Sequence, residues 1–155
     1  MSIHHATIEW SHAPEGGSYS RRHAWSFDGG QVIPASASPL CVRPPFSDPA
    51  GVDPEEALVA AVSSCHMLWF LDLAKRAGFS PRTYRDAAAG CLGKNAEGRE
   101  AMISVELAPE VTFEGKDPDD EQLAALHHEA HEHCLIAASL RCPVQIRAAR
   151  TRSLG

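Results

Sequence analysis

The sequence predicts an α+β chain, on three observations. A long apolar stretch starting near Asp53 carries a full set of helix-start signals. Short segments of alternating polarity, bounded by Gly and Pro, lie before and after it. A second helix signal opens at Asp117-Pro-Asp-Asp-Glu121. Strands dominate the first third and helices interrupt the rest, which favours α+β over a repeating βαβ arrangement.

In chain order, residues 3–10 alternate loosely and read as a strand, and Pro14-Glu-Gly-Gly17 reads as a turn or loop. Residues 19–27 read as a second strand, Asp28-Gly-Gly30 as a hairpin turn and residues 31–35 as the returning strand. Residues 36–52 hold five Pro or Gly residues and no period, the mark of an irregular loop. Asp53 then suits an N-cap, Pro54 the first helical position and Glu56 the reciprocal place of a capping box. The following stretch, 57–77, is apolar nearly all round, which predicts a helix buried on most faces. Lys75 and Arg76 complement its C-terminal dipole and Gly78 stops it. Residues 82–92 and 100–113 read as two strands around a turn at 93–98. A second helix carries Leu123, Leu126 and Ala130 on one face, continues or kinks through Cys134 to Leu140, and is followed by a strand over 143–147. A helix apolar on all sides needs more cover than one small sheet supplies, and dimerisation is the simplest source.

Composition narrows the function classes. At 155 residues, 44% hydrophobic and 22% charged, the chain is ordinary for a globular domain. Its formal charge of −6 argues against nucleic acid and anionic membranes as partners. The N-terminus lacks the basic start and apolar run of a signal peptide. The 57–71 stretch is shorter than the ~18 apolar residues a spanning helix needs and holds Ser63, Ser64 and His66. A cytoplasmic location is expected. Five cysteines (41, 65, 91, 134 and 142) form no Cys-x-x-Cys and no regular framework, so the thiols are expected to be free unless one pair cycles.

Cys65 and Cys134 stand apart because each lies in an apolar, helix-like segment. A thiolate can attack a peroxide oxygen to give a sulfenic acid, which a second thiol then condenses with. The attacking thiol needs a cation to lower its pKa from ~8.5. Arg21, Arg22, Arg43, Arg82 and Arg85 are candidates. By spacing alone, two core cysteines are the better explanation of the pair, since buried thiols are common. Glu55 precedes Cys65 by ten residues, roughly 15 Å along a helix, so it would have to act through an arginine or on a second subunit. Its plain reading is a first-turn carboxylate favoured by the helix dipole.

The segment Leu126-His-His-Glu-Ala-His-Glu-His-Cys134 offers a rival site. His127 and His131 are spaced i,i+4, and Cys134 could complete a metal-ligand set. Position 132 is Glu, however, so the metalloprotease motif is absent, and the four histidines spread around the helix. A solvated His/Glu-rich face is the simpler reading. No Gly-x-Gly-x-x-Gly, phosphate-binding loop or Gly-x-Ser-x-Gly supports nucleotide use or serine hydrolysis. No cofactor or resident metal is expected.

Asp53-Pro-Glu-Glu-Ala-Leu58 through Ser64-Cys-His-Met-Leu-Trp69 resembles the central helix of the OsmC/Ohr family, the osmotically inducible and organic hydroperoxide resistance proteins. Ala130-His-Glu-His-Cys-Leu-Ile-Ala-Ala-Ser139 with Pro143-Val144 is similar to that family's second cysteine segment. Tyr19-Ser-Arg-Arg-His23 with Trp25 and Phe27-Asp-Gly-Gly30 resembles the N-terminal strand pair of its OsmC-like branch. The resemblance implies an intertwined homodimer, with antiparallel sheets packed around two long central helices and active sites at the subunit interface. It implies a single domain over 1–155: N-terminal strands in 1–38, a loop in 39–52, and a helix-strand-strand-helix-strand portion in 53–155. Cys65 would match the peroxidatic cysteine, Cys134 the resolving one, and Glu55 the glutamate that holds the active-site arginine. Arg21 follows Tyr-Ser as that arginine does, with Arg22 as the alternative; within a strand over 19–27 the two would face opposite sides. Leu135 and Ala138 depart from the family pattern and bear on substrate preference. The implied partners are an organic hydroperoxide and an external dithiol, for which lipoyl-bearing proteins are the family precedent. A member without catalysis, or a metal-binding protein using residues 127–134, is the alternative. Cys41 has no assigned role, and Cys91 and Cys142 read as inert.

Overall fold

The computed structural model describes residues 1–12 and 18–148, so the turn expected at 14–17 lies outside the described residues. The chain is α+β, as its sequence predicts, and divides into two compact units, Met1–Ala57 and Leu58–Gly155.

The first unit holds an antiparallel sheet of β1 (Ala6–Glu9), β2 (His23–Phe27) and β3 (Val32–Ala35), in that order. Ile8 lies opposite Trp25, and Trp25 opposite Ile33. The turn at 28–30 uses Gly30 at φ +81°, a conformation that glycine enters without cost. β2 begins at His23 rather than at 19, because the ladder to β3 starts with the pair His23–Ala35. Arg21 and Arg22 therefore precede the strand, and strand alternation does not decide between them. The Arg21 amide instead donates to the Phe46 carbonyl at 2.9 Å. Residues 36–52 contain no helix or regular strand. Buried Ser36 accepts a hydrogen bond from the Asp48 amide at 2.8 Å, and buried Ser47 donates to the Val42 carbonyl at 2.5 Å.

Helix α1 (Pro54–Arg76) starts as the sequence requires. The Glu56 amide donates to Asp53 Oδ1 at 2.7 Å and the Asp53 amide to Glu56 Oε2 at 3.2 Å, closing the capping box. Beyond its end, Gly78 adopts φ +84°. Its first turn, to Ala57, belongs to the first unit. Within the single chain, burial of the helix is partial. Only one stripe is buried, comprising Val62, His66, Phe70, Leu73 and Ala74, while Leu68 is 61% exposed. By length and composition alone, α1 is also sufficient to cross a membrane, because its apolar register runs beyond Leu71.

In the second unit each of the two long expected strands is in fact two. Residues 82–92 divide into β4 (Pro81–Asp86) and β5 (Ala89–Lys94), and residues 100–113 into β6 (Glu100–Leu107) and β7 (Pro109–Phe113). β4 pairs with β7 and β5 with β6, each antiparallel, so both segments change sheet at the same level. The Asp86 carboxylate fixes that crossing, with Oδ1 accepting from the Ala108 amide at 2.7 Å. β8 (Val144–Ile146) joins β6 in parallel. Helix α2 (Asp120–His133) has Asp119 as N-cap, with a second capping box through Gln122. It therefore starts two residues later than Asp117 and Pro118 suggested. α2 ends at Cys134, after which α3 (Leu135–Ala138) follows.

Two apolar clusters hold this unit. One joins Phe70 and Leu73 of α1 to Val111, Phe113, Leu123 and Leu126; the other centres on Val62, Val105 and Leu107. Gly90 of β5 passes so close to α1 that a Cβ there would lie 2.6 Å from Val59 Cγ2 and 2.8 Å from Met102 Sδ.

A thiol pair as candidate active site

Cys65 lies midway along α1, one residue ahead of the buried stripe position His66, and is half-buried. Cys134 is 1% exposed and stands where the chain leaves one helix and enters the next. Its ψ of 100° breaks the helical run, while its amide still donates to the His131 carbonyl at 3.1 Å and its carbonyl accepts from Ala138 at 3.0 Å. Its sulfur accepts a hydrogen bond from the Ala137 amide at 3.4 Å. The thiol is directed to the Val62 carbonyl of α1 at 3.9 Å, one helical turn before Cys65.

The two thiols interact. Burial pushes the Cys134 thiol above its ordinary pKa, and the Cys65 sulfur beside it pushes further in the same direction through hydrogen bonding and charge. The Ala137 amide is the main opposing influence, and the Ile136 amide opposes more weakly. Neither cysteine is in a disulfide. The arrangement places one thiol that is held protonated against another that is partly open to solvent.

Polar ties around α1 escaped the sequence reading. Two residues before Cys65, Ser63 Oγ donates to Asp86 Oδ2 at 2.5 Å, so both Asp86 oxygens are engaged. His66 Nε2 and His127 Nδ1 meet at 3.1 Å with their rings 7° from parallel, and Phe70 stacks on His127 at 4.3 Å. Burial drives both imidazoles down to about 4. His131 adds to the shift at His66, with Asp86 opposing it, and His66 adds to the shift at His127. The expected solvated histidine face therefore needs correction: His127 is 4% exposed and belongs to the interior, whereas His128 and His133 are exposed. The signal was present, since Val62-His66-Phe70 and Leu123-His127 follow i,i+4 spacing on the buried stripes. His133 is stacked on Trp69, with ring centroids 4.8 Å apart. Among the described residues, no group of three or more His, Cys, Asp or Glu converges as a metal site.

Arg21 and Glu55 belong to the first unit and both thiols to the second. Arg22 is ion-paired with Asp48 at 2.9 Å, whereas the Arg21 guanidinium has no ion pair among the described residues. Glu55 is half-buried in the first turn of α1. Of the remaining thiols, Cys41 and Cys91 are exposed and Cys142 is half-buried.

A family model described as OsmC-like protein matches residues 47–149. An OsmC-like protein of unknown function from Vibrio cholerae is 45% identical with a TM-score of 0.94, covering 96% of this chain and 100% of its own. An organic hydroperoxide resistance protein from Elizabethkingia anophelis has 17% identity and a TM-score of 0.71 over 99% and 96% of the two chains. The organic hydroperoxide resistance protein OhrB of Bacillus subtilis has 17% identity and a TM-score of 0.62 over 97% and 98%. At that identity the last two likenesses are of fold. No curated protein matches the chain.

Proposed function

This chain belongs to the OsmC-like family, and on that premise we propose that it is a thiol-dependent peroxidase that reduces organic hydroperoxides to alcohols in oxidative stress defence. The observation that carries the reading is the placement of the two thiols: Cys134 is buried and its thiol is directed to the Val62 carbonyl, one helical turn before half-buried Cys65, and burial, with Cys65 adding to it, raises the Cys134 pKa.

The chemistry follows from that asymmetry. Cys65, as thiolate, attacks the terminal oxygen of the hydroperoxide. Its electron pair forms the S–O bond while the O–O bond breaks, and the departing alkoxide takes a proton to become the alcohol. The Cys134 sulfur then attacks the sulfenic sulfur, and the displaced hydroxyl leaves as water with the Cys134 proton. An external dithiol restores both thiols by two exchanges, itself becoming a disulfide. Lipoyl-bearing proteins have the right chemistry for that step. Disulfide closure asks for Cα atoms about 4.4–6.8 Å apart or a local movement of one helix, and Cys134 stands where the helical run is already broken.

Arg21 is assigned to stabilise the Cys65 thiolate and orient the peroxide, and Glu55 to position Arg21 by an ion pair. The engagement of Arg22 by Asp48 supports Arg21 as the arginine with its charge available. A homodimer accounts for the apolar faces of α1 that the chain leaves uncovered. The metal reading of residues 127–134 is disfavoured, because His127 already bonds His66 in the interior.

The test is intact-mass analysis after one equivalent of tert-butyl hydroperoxide. Loss of about two mass units, mapped to a Cys65–Cys134 bridge, supports the proposal. An unchanged mass, or oxidation confined to other cysteines, overturns it.

A further inference from the structure

Apart from the thiol pair, a groove of about 530 Å³ opens at the tip of the β5–β6 hairpin, lined also by the loop that precedes β8. Small-molecule clefts commonly have volumes of about 300–1,000 Å³. Three cations line this one, Lys94, Arg99 and Arg141, against a single carboxylate, Glu100; neither Cys65 nor Cys134 takes part. Arg99 is ion-paired with Glu97. Lys94 and Arg141 have no ion pair among the described residues, although Glu100 is the cross-strand neighbour of Lys94. On a chain with net charge −6, two uncommitted cations in one concave site are not what composition supplies. They come from different elements, the end of β5 and the loop after α3, so they are suited to separate anionic groups on one ligand. Met102 contributes an apolar wall.

We propose that this groove binds a small organic anion bearing two or more carboxylates, with Lys94 and Arg141 each taking one carboxylate and Met102 packing on the carbon skeleton. The arginine fork can grip a carboxylate through two parallel hydrogen bonds, and lysine adds a compact point charge. Glu100 and the chain's negative charge work against a nucleic-acid backbone, whose binding rewards runs of unopposed cations. The site is separate from the peroxide chemistry, so its failure would leave the proposed function untouched.

Cys142 lines the same groove and provides a reporter, while exposed Cys91 on β5 lies outside the lining and serves as the internal control. Alkylation by iodoacetamide is followed at both cysteines by peptide mass analysis, with citrate as probe and sodium chloride at matched ionic strength as reference. At citrate about ten times its Kd, measured by calorimetry, the Cys142 rate falls about tenfold and the Cys91 rate holds. The Lys94→Ala/Arg141→Ala variant, checked as folded by its circular dichroism, loses that protection. Equal protection by chloride, slowing of both cysteines alike, or protection that survives in the variant overturns the proposal.

Discussion

In the first unit the three-stranded sheet leaves Ile8, Val32 and Phe27 exposed, and its buried set among the described residues is one alanine, Ala35, with Ser36, Ser38, Ser47 and Asp53. The second unit buries Phe70, Leu107, Val105 and their neighbours in two apolar clusters. The first is held by hydroxyl and amide ties along an irregular loop, the second by packing. Hydroxyl ties are directional and contribute about 1 kcal/mol each, whereas packing of a large apolar side chain contributes several times that. The contrast places both thiols in the unit held by apolar packing and Arg21 in the unit held by polar ties.

Five experiments press on that contrast, starting from the largest effect. Cys65→Ser should bring hydroperoxide reduction down to the uncatalysed background; full turnover in that variant would remove the second unit as the seat of chemistry. Phe70→Ala should destabilise the second unit by about 3–5 kcal/mol in urea unfolding. A cost under about 1 kcal/mol would mean that packing there is no tighter than in the first unit. Arg21→Ala should lower kcat/KM for an organic hydroperoxide by about 10²–10³-fold, with folding stability unchanged.

A fourth experiment uses pH. His66 and His127 have folded-state pKa values lowered from 6.5 to about 4, so the unfolded chain binds their protons more readily. Their contribution is complete above about pH 6.5, is lost as pH falls towards about 4, and changes no further below that. The urea midpoint should therefore drop across that window, and a flat midpoint would argue that the two imidazoles are not buried neutral. The smallest effect belongs to Arg22→Ala, which should change stability by less than about 1 kcal/mol, because its ion pair with Asp48 lies in an exposed setting. Its peroxidase activity should stay within about threefold of the parent, since the arginine is already committed elsewhere. Losses equal to those of Arg21→Ala would erase the distinction between the two.

Local signals were the readable part of the sequence. The Asp53/Glu56 capping box, Pro54 and Gly78 located α1 closely, because caps are determined by residues within a few positions of one another. The division of two expected strands into four was not readable, since it depends on Asp86 bonding Ala108, a tie between residues 22 apart. Which faces of α1 the chain itself covers was not readable for a related reason: an all-round apolar pattern states that a helix needs cover and not which molecule supplies it. At the site, both thiols were readable from their segments. Ser63–Asp86 and His66–His127 were not, because a lone polar residue on an apolar stripe gives no hint of its distant partner.

Gly90 gives one further consequence. The hydrogen it carries in place of a methyl sets the clearance between β5 and α1 at Val59, six residues ahead of Cys65. A Gly90→Ala chain would have to shift either the Met102 side chain or the helix itself. Met102 can give way by rotating its flexible thioether; Val59 cannot, because a β-branched side chain in a helix has essentially one rotamer. The strain of a methyl there would therefore fall on the backbone of α1 at Val59. A position with no side chain, on a strand that carries neither thiol, thus sets how closely that strand can lie against the helix that carries Cys65.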